Sequence, residues 1–197
     1  MDIKIHRGLE QIGGCITEIS TVTSRIFIDM GQNLPGVGEV TTADEDRQMV
    51  EDIFTQNRKE HEAVFYTHTH EDHIGLFRYV PEGVPQFIGE GAKEIMIAKY
   101  ESIIEAILKV NKDNRFKLKN DGRPEQKTSV EQAKTRVPNH NAMLQRLKAF
   151  NTWERPKPHT APPHIQVGDI RVTPFFCRPR TCRWRCQTGR SVRRESA

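Results

Sequence analysis

Hydrophobic and polar residues alternate along several short stretches of the chain, which is the pattern of strands with one buried face. Turn signals separate these stretches, and the first of them is Gly13-Gly14. The predicted strands are Asp2 to His6, Cys15 to Ile19, Arg25 to Asp29, Ala63 to Thr67, Val84 to Ile88, and a pair within IQVGDIRVTPFF.

Apolar residues spaced three and four apart predict helices between these strands. The clearest helix is predicted over Glu90 to Val110, and others over Asp44 to Gln56, His73 to Tyr79 and Asn139 to Trp153. A lysine-rich polar stretch, 111–128, is predicted to be an exposed loop. Strands alternating with helices indicate an α/β layered domain, in which each helix covers a sheet face.

Charge divides the chain into two parts. The net charge of +4 comes from the segment Arg178 to Ala197, which holds seven arginines and one acid, Glu195. The other 177 residues carry 23 basic and 25 acidic groups. We therefore expect a domain over 1–177 and a basic tail over 178–197 with little regular structure. The tail is interpreted as out-of-frame translation, with a nucleic-acid-binding arm or part of a cysteine metal site as alternatives.

Composition excludes several classes of protein. No run of about 18 apolar residues is present, so no membrane span is expected, and the start lacks the apolar core of a secretion signal. A cytoplasmic location is therefore expected. Three of the four cysteines crowd the last 21 residues, which does not indicate a disulfide framework.

Three histidines and an aspartate lie within six residues, HTHEDH, directly after a predicted strand. In an extended segment His68 and His70 point to the same side, so that both imidazoles can reach one metal ion. If the chain then turns into a helix, Asp72 and His73 can hold a second ion. Such ligands suit zinc, and also manganese or iron when oxygens dominate. Two ions about 3.5–4 Å apart can activate a shared hydroxide for a displacement at phosphorus or carbon.

The alternative for HTHEDH is a polar, solvated turn, but so dense a cluster after an apolar strand favours metal binding. The remaining histidines are isolated, and we expect them to be surface or turn residues. They are His6, His61, His140, His159 and His164.

HTHEDH matches HxHxDH and so resembles the signature of the metallo-β-lactamase fold hydrolases. The flanking segments resemble the ribonuclease J-like members of that superfamily. These segments are HRGLEQIGGCITEI, RIFIDMG, AVFYTHTHEDHIGL and VGDIRVTPFF.

The resemblance implies a fold of the α/β (α+β) class, a four-layer αββα sandwich of which this chain holds the first half and the start of the second. It implies that His68 and His70 bind one metal, and that Asp72 and His73 bind another. Asp72 would also be the catalytic residue that orients the attacking hydroxide. Asp29 would support a ligand histidine from outside the ligand set. The expected cofactors are two divalent ions, zinc or alternatively manganese.

The chain departs from the family after the strand VTPFF, where a further histidine and then a bridging aspartate are expected. Neither residue type follows Cys177, and no β-CASP region is present. The expected function is hydrolysis of phosphodiester bonds in RNA, impaired by truncation. A small-molecule hydrolase acting on a thioester, lactone or β-lactam, or a non-catalytic fragment, are the alternatives. The sequence is compatible with a homo-oligomer.

Overall fold

A computed structural model of the chain describes residues 1–34, 36, 40–114, 127–153, 163–176 and 182–188. The chain forms two compact units, one of Met1–Ala92 with Asn151–Ala197 and the other of Lys93–Phe150. The described helices include none that is long and apolar enough to cross a membrane.

The first unit contains a six-stranded mixed sheet whose strands follow one another in chain order. The first three strands are antiparallel, and each later strand is parallel to its predecessor. The strands are β1 (Asp2–Arg7), β2 (Ile16–Ser20), β3 (Ser24–Ile28), β4 (His61–Phe65), β5 (Gln86–Gly89) and β6 (Asn151–Trp153).

A smaller antiparallel sheet in the same unit consists of β7 (Ile165–Val167), β8 (Ile170–Phe176) and β9 (Cys182–Thr188). The predicted strand pair is therefore confirmed as β7 and β8. Strand β9 corrects the expectation of little regular structure beyond Cys177, because its backbone pairs along the whole of β8. Ladder hydrogen bonds join backbone groups and need no apolar period in the added strand. The rest of the tail, 178–181 and 189–197, lies outside the described residues.

The two sheets pack face to face around a shared apolar core. Residues from both sheets are almost fully removed from solvent in this core. The core residues are Ile26, Ala63, Phe65, Trp153, Val167, Ile170 and Val172.

Helix α1 (Ala43–Thr55) covers the opposite face of the large sheet. Thr42 and Glu45 form a capping box at its start, which satisfies free backbone N–H groups of the first turn. Phe54 of the helix packs on Phe27 of β3 with ring centroids 4.8 Å apart. The buried Arg25 donates to the carbonyls of Ile53 and Gln56 and so closes the end of α1.

The second unit is helical and is formed by α3 (Glu90–Asn114, which starts in the first unit) and α4 (Lys127–Lys148). Met96 is buried as predicted, whereas Leu108 is exposed although the predicted apolar stripe included it. In this unit the Lys93 ammonium donates to the carbonyls of Lys148 and Phe150.

Two predictions in the region after residue 110 were wrong. The loop predicted over 111–128 is wrong at both ends, because 111–114 belong to α3 and 127–128 belong to α4, and the helix predicted over Asn139 to Trp153 has other bounds. Helix α4 begins at Lys127, not at Asn139, and continues through Pro138. Proline often marks a helix boundary, but here the cost of its missing N–H does not end the helix. The helix ends at Lys148, and Asn151–Trp153 forms β6 because β5 offers it a pairing edge. Residues 115–126 and 154–162 lie outside the described part.

The architecture is thus a mixed α/β fold, as predicted. The first unit also contains a short helix, α2 (Glu71–Ile74), followed by a 3₁₀ turn at Phe77–Tyr79. The sequence had predicted a single helix over His73 to Tyr79. The N–H of Gly75 makes the last helical bond of α2, to the carbonyl of Glu71. Helix α2 carries part of the HTHEDH motif to one edge of the large sheet.

Candidate metal centre

The candidate site lies where two neighbouring parallel strands end. Ile28 is the last residue of β3 and pairs with Phe65, the last residue of β4. Side chains that follow the two strands therefore meet at the same sheet edge, where open α/β sheets place their ligands. Asp29 follows β3, and Thr67 and His68 follow β4.

Asp29 is the polar centre of this edge. The residue is 3% exposed, and its carboxylate accepts the backbone N–H of Thr67 at 2.7 Å and the Thr67 hydroxyl at 2.8 Å. It also accepts from Nδ1 of His73 at 2.7 Å. Its φ of 64° lies in the left-handed region, which aspartate tolerates better than most residues. Since a carboxylate only accepts, Nδ1 of His73 carries the proton and Nε2 keeps its lone pair.

Three of the four predicted ligands come together. One potential ligand atom from each of His68, Asp72 and His73 lies within 4.8 Å of the others. The rings of His68 and His73 have centroids 3.9 Å apart, and Nε2 of His73 lies 3.5 Å from Oδ2 of Asp72. These separations suit donors that converge on a single divalent ion.

His70, the fourth predicted ligand, lies beside this cluster. Its ring meets that of His68 edge-on with centroids 4.7 Å apart, and the residue precedes the first turn of α2. The structure therefore groups His68 with Asp72 and His73, whereas the sequence paired His68 with His70.

Backbone hydrogen bonds hold α2 in place. The N–H groups of Cys15, Met30 and Gln32 donate to the carbonyls of Asp72, His73 and Glu71 in turn, at 2.8 to 2.9 Å. Gly31 lies so close that a Cβ there would overlap the carbonyl oxygen of Asp72. The ligand segment is thus held by two other segments of the chain, which preorganises its side chains.

The surroundings shift the pKa values of His68 and His73 in opposite directions. Burial, together with the positive charge that His73 can carry, lowers the pKa of His68, so His68 is neutral and able to coordinate at neutral pH. Burial by itself would lower the pKa of His73 also, but its hydrogen bond to Asp29 and the charges of Asp29 and Asp72 raise it overall. Metal binding at Nε2 of His73 therefore competes with protonation of that nitrogen.

Thr67 is a site residue that the sequence argument missed. Besides its bonds to Asp29, its hydroxyl lies 3.0 Å from Nδ1 of His68 and 3.4 Å from Nδ1 of His73. Such partners fix the orientation of ligand histidines. Its position between a buried strand and the first histidine was the available signal.

The isolated histidines lie outside the cluster wherever they are described. His6 is half-buried rather than on the surface, and pairs with Glu18 at 2.8 Å. The ring of His140 lies near Tyr100 in the helical unit, and His164 is exposed beside Arg171. His61 is close to Glu60, and His159 falls outside the described residues.

The free thiol of Cys15 is half-buried near the same edge. Burial and the negative charges of Asp29 and Asp72 raise its pKa, so the neutral thiol is favoured.

Comparison with known proteins bears on the fold alone. No protein-family model matches the chain, and no curated protein matches it. A crystal structure of a protein of unknown function from Enterococcus faecalis V583 is similar, with a TM-score of 0.57 at 16% sequence identity. The similarity covers 95% of this chain and 40% of that one, so this chain spans less than half the length of the protein it resembles.

Proposed function

We propose that the chain carries the metal-binding part of a metal-dependent hydrolase of the metallo-β-lactamase fold, with phosphodiester bonds in RNA as its substrate. The observation that carries this proposal is the convergence of His68, Asp72 and His73 at the end of two parallel strands, with Asp29 bonded to His73. A buried carboxylate that fixes the tautomer of a histidine is typical of metal sites and is not expected in a solvated turn.

The arrangement of layers supports the fold part of the proposal. Helix α1, the six-stranded sheet and the smaller sheet stack in that order, which corresponds to three layers of an αββα sandwich. The site lies at an edge of the sheets, as the resemblance implies. The structural similarity to the Enterococcus faecalis protein is compatible with this fold and carries no information on activity.

The donor set favours zinc, with manganese as the alternative, because two imidazoles and one carboxylate bind borderline metals well. The cluster offers three donors to one ion, and His70 is the nearest further imidazole for a second ion. A bound ion would supply Lewis acidity that activates water and stabilises the leaving oxygen.

The residues of the chain have separate roles in this proposal. His68 coordinates as the neutral imidazole, and His73 does so through Nε2 because Asp29 holds the proton on Nδ1. Asp72 has two oxygens, so that one can bind metal while the other accepts a hydrogen bond from the attacking water and orients it. Thr67 holds Asp29 and His68 in this arrangement.

The test combines metal content with hydrolysis. Zinc and manganese bound per chain are measured by dialysis and elemental analysis, and cleavage of a labelled RNA is followed in the same preparations. We expect metal in the wild type, little in His68→Ala, and full retention in His61→Ala, whose histidine lies at the start of β4, at the opposite end from the site. RNA cleavage should be weak, because the described cluster offers three protein ligands where the family resemblance implies two metal ions. This cleavage should disappear in His68→Ala.

Other outcomes separate the alternatives. Equal metal content in all three proteins would contradict the site itself. Metal binding with cleavage of a lactone or thioester, and none of RNA, would favour a small-molecule hydrolase. Metal binding without hydrolysis of any substrate would indicate a non-catalytic protein.

A further inference from the structure

Strand β1 forms an outer edge of the six-stranded sheet. Among the described strands it pairs with β2 alone. Its first four residues, Asp2 to Ile5, are all exposed. Backbone donors and acceptors along such an edge are available to another strand, and proteins usually protect long apolar edges from this.

One face of this edge is apolar. Met1, Ile3 and Ile5 are 64%, 63% and 45% exposed. Ile3 lies opposite Ile19 of β2, and Ile19 lies opposite the fully buried Ile26 of β3. The apolar row of the core therefore continues to the edge of the sheet, where the described residues leave it uncovered.

The other face of the edge carries opposite charges at adjacent positions. Asp2 and Lys4 alternate with Ile3 and Ile5 and so point to the face that α1 covers further along the sheet. Asp2 lies opposite Ser20 of β2 and has no charged residue directly opposite it within the sheet, whereas Lys4 lies opposite Glu18, which pairs with His6.

We propose that β1 pairs antiparallel with β1 of a second copy of this chain, about a two-fold axis centred on Ile3. In this register Ile3 lies opposite Ile3 of the second copy, and Met1 lies opposite Ile5 on the same face. Asp2 lies opposite Lys4 of the second copy, and the two-fold axis generates this ion pair twice. The pairing extends the apolar row of both sheets across the interface.

Charge excludes the two registers next to this one. Residues that lie opposite each other in an antiparallel pair share a face, so a two-fold axis must pass through a residue pair such as Ile3 with its own copy. An axis through Asp2 would oppose two aspartates, and an axis through Lys4 would oppose two lysines. Like charges directly opposite each other destabilise a sheet, and opposite charges stabilise it. The interface is short, so the dimer is reversible and depends on concentration.

The test is sedimentation velocity of the full chain, with any tag at the carboxyl end, over a concentration series. We expect the sedimentation coefficient of the wild type to rise with concentration. Ile3→Lys should remove this rise, whereas Val22→Lys, at an exposed residue of the β2–β3 turn, should leave it unchanged. Circular dichroism checks that each variant is folded.

A charge exchange tests the register separately. Asp2→Lys and Lys4→Asp should each weaken association, since each places like charges opposite one another, and the double variant should restore it. A wild type that is monomeric throughout the series would overturn the proposal, and so would association that Ile3→Lys leaves intact. Failure of the double variant to restore association would overturn it as well. None of these variants touches the metal centre, so the result is independent of the proposed function.

Discussion

Replacing Asp29 by asparagine is expected to weaken metal binding by changing the tautomer of His73. The asparagine oxygen can still accept the backbone N–H of Thr67, which now lies 2.7 Å from Oδ1. The amide nitrogen would face Nδ1 of His73, where Oδ2 now lies at 2.7 Å. An N–H in that place donates to Nδ1 and drives the proton of the imidazole to Nε2, which faces Asp72.

The magnitude follows from the contacts that are lost. Outer partners of ligand histidines change metal affinity by about 10–100-fold, so we expect zinc affinity to fall by this factor. The metal-free protein loses its charge-assisted bond to His73, which contributes about 1.5–3 kcal/mol to the free energy of unfolding. Asparagine tolerates the φ of 64° at this position, whereas Asp29→Ala would add about 1–2 kcal/mol of backbone strain.

The assay is competition for zinc with a chromophoric chelator, combined with urea unfolding of the metal-free protein. The matched control is Glu62→Gln, which neutralises another buried carboxylate, at the far end of β4, where it pairs with Arg25 at 2.7 Å. This control should lower stability and leave zinc affinity unchanged. Zinc affinity in Asp29→Asn equal to that of the wild type would refute the assigned role of Asp29.

Three further predictions concern the scaffold. Gly31→Ala should lower both the melting temperature and zinc content, because its Cβ would displace the backbone of Asp72; unchanged zinc content would contradict this. Burial lowers the pKa of His6 despite the opposing effect of Glu18. As pH falls through 6.5, the usual pKa of a histidine, the unfolded chain therefore binds more protons than the folded protein. The free energy of unfolding should therefore fall as pH drops through about 6.5, and this part of the pH dependence should be absent in His6→Gln. Removing β9 should lower the melting temperature, since β8 would lose one of its two partner strands; an unchanged value would restore the view of the tail as independent of the fold.

Local patterns in the sequence were sufficient for much of the fold. Strands β1 to β5, β7, β8 and helix α1 lie where alternation and helical spacing predict them, to within about two residues. Helix α1 and several of these strands bury one face, and burial of one face imposes a period on the sequence. The HTHEDH motif was also visible locally, because its candidate ligands are neighbours in the chain.

Elements without such a period needed the tertiary structure. Strand β6 exists because β5 offers it an edge for parallel pairing, and β9 exists because β8 offers it an edge for antiparallel pairing. Backbone hydrogen bonding between strands leaves little mark on the sequence of a short strand. Helix α4 continues through Pro138 although the local signal marks a boundary there.

The candidate site divides in the same way. The sequence by itself determined that histidines and an aspartate follow a buried strand, and its family resemblance pointed to Asp29. Only the tertiary structure decided that His68, Asp72 and His73 converge while His70 lies beside them, and that Thr67 joins the network. The physical reason is that Asp29 and His73 are 44 residues apart in the chain. The parallel pairing of β3 with β4, together with the backbone hydrogen bonds that hold α2, brings them within hydrogen-bonding distance.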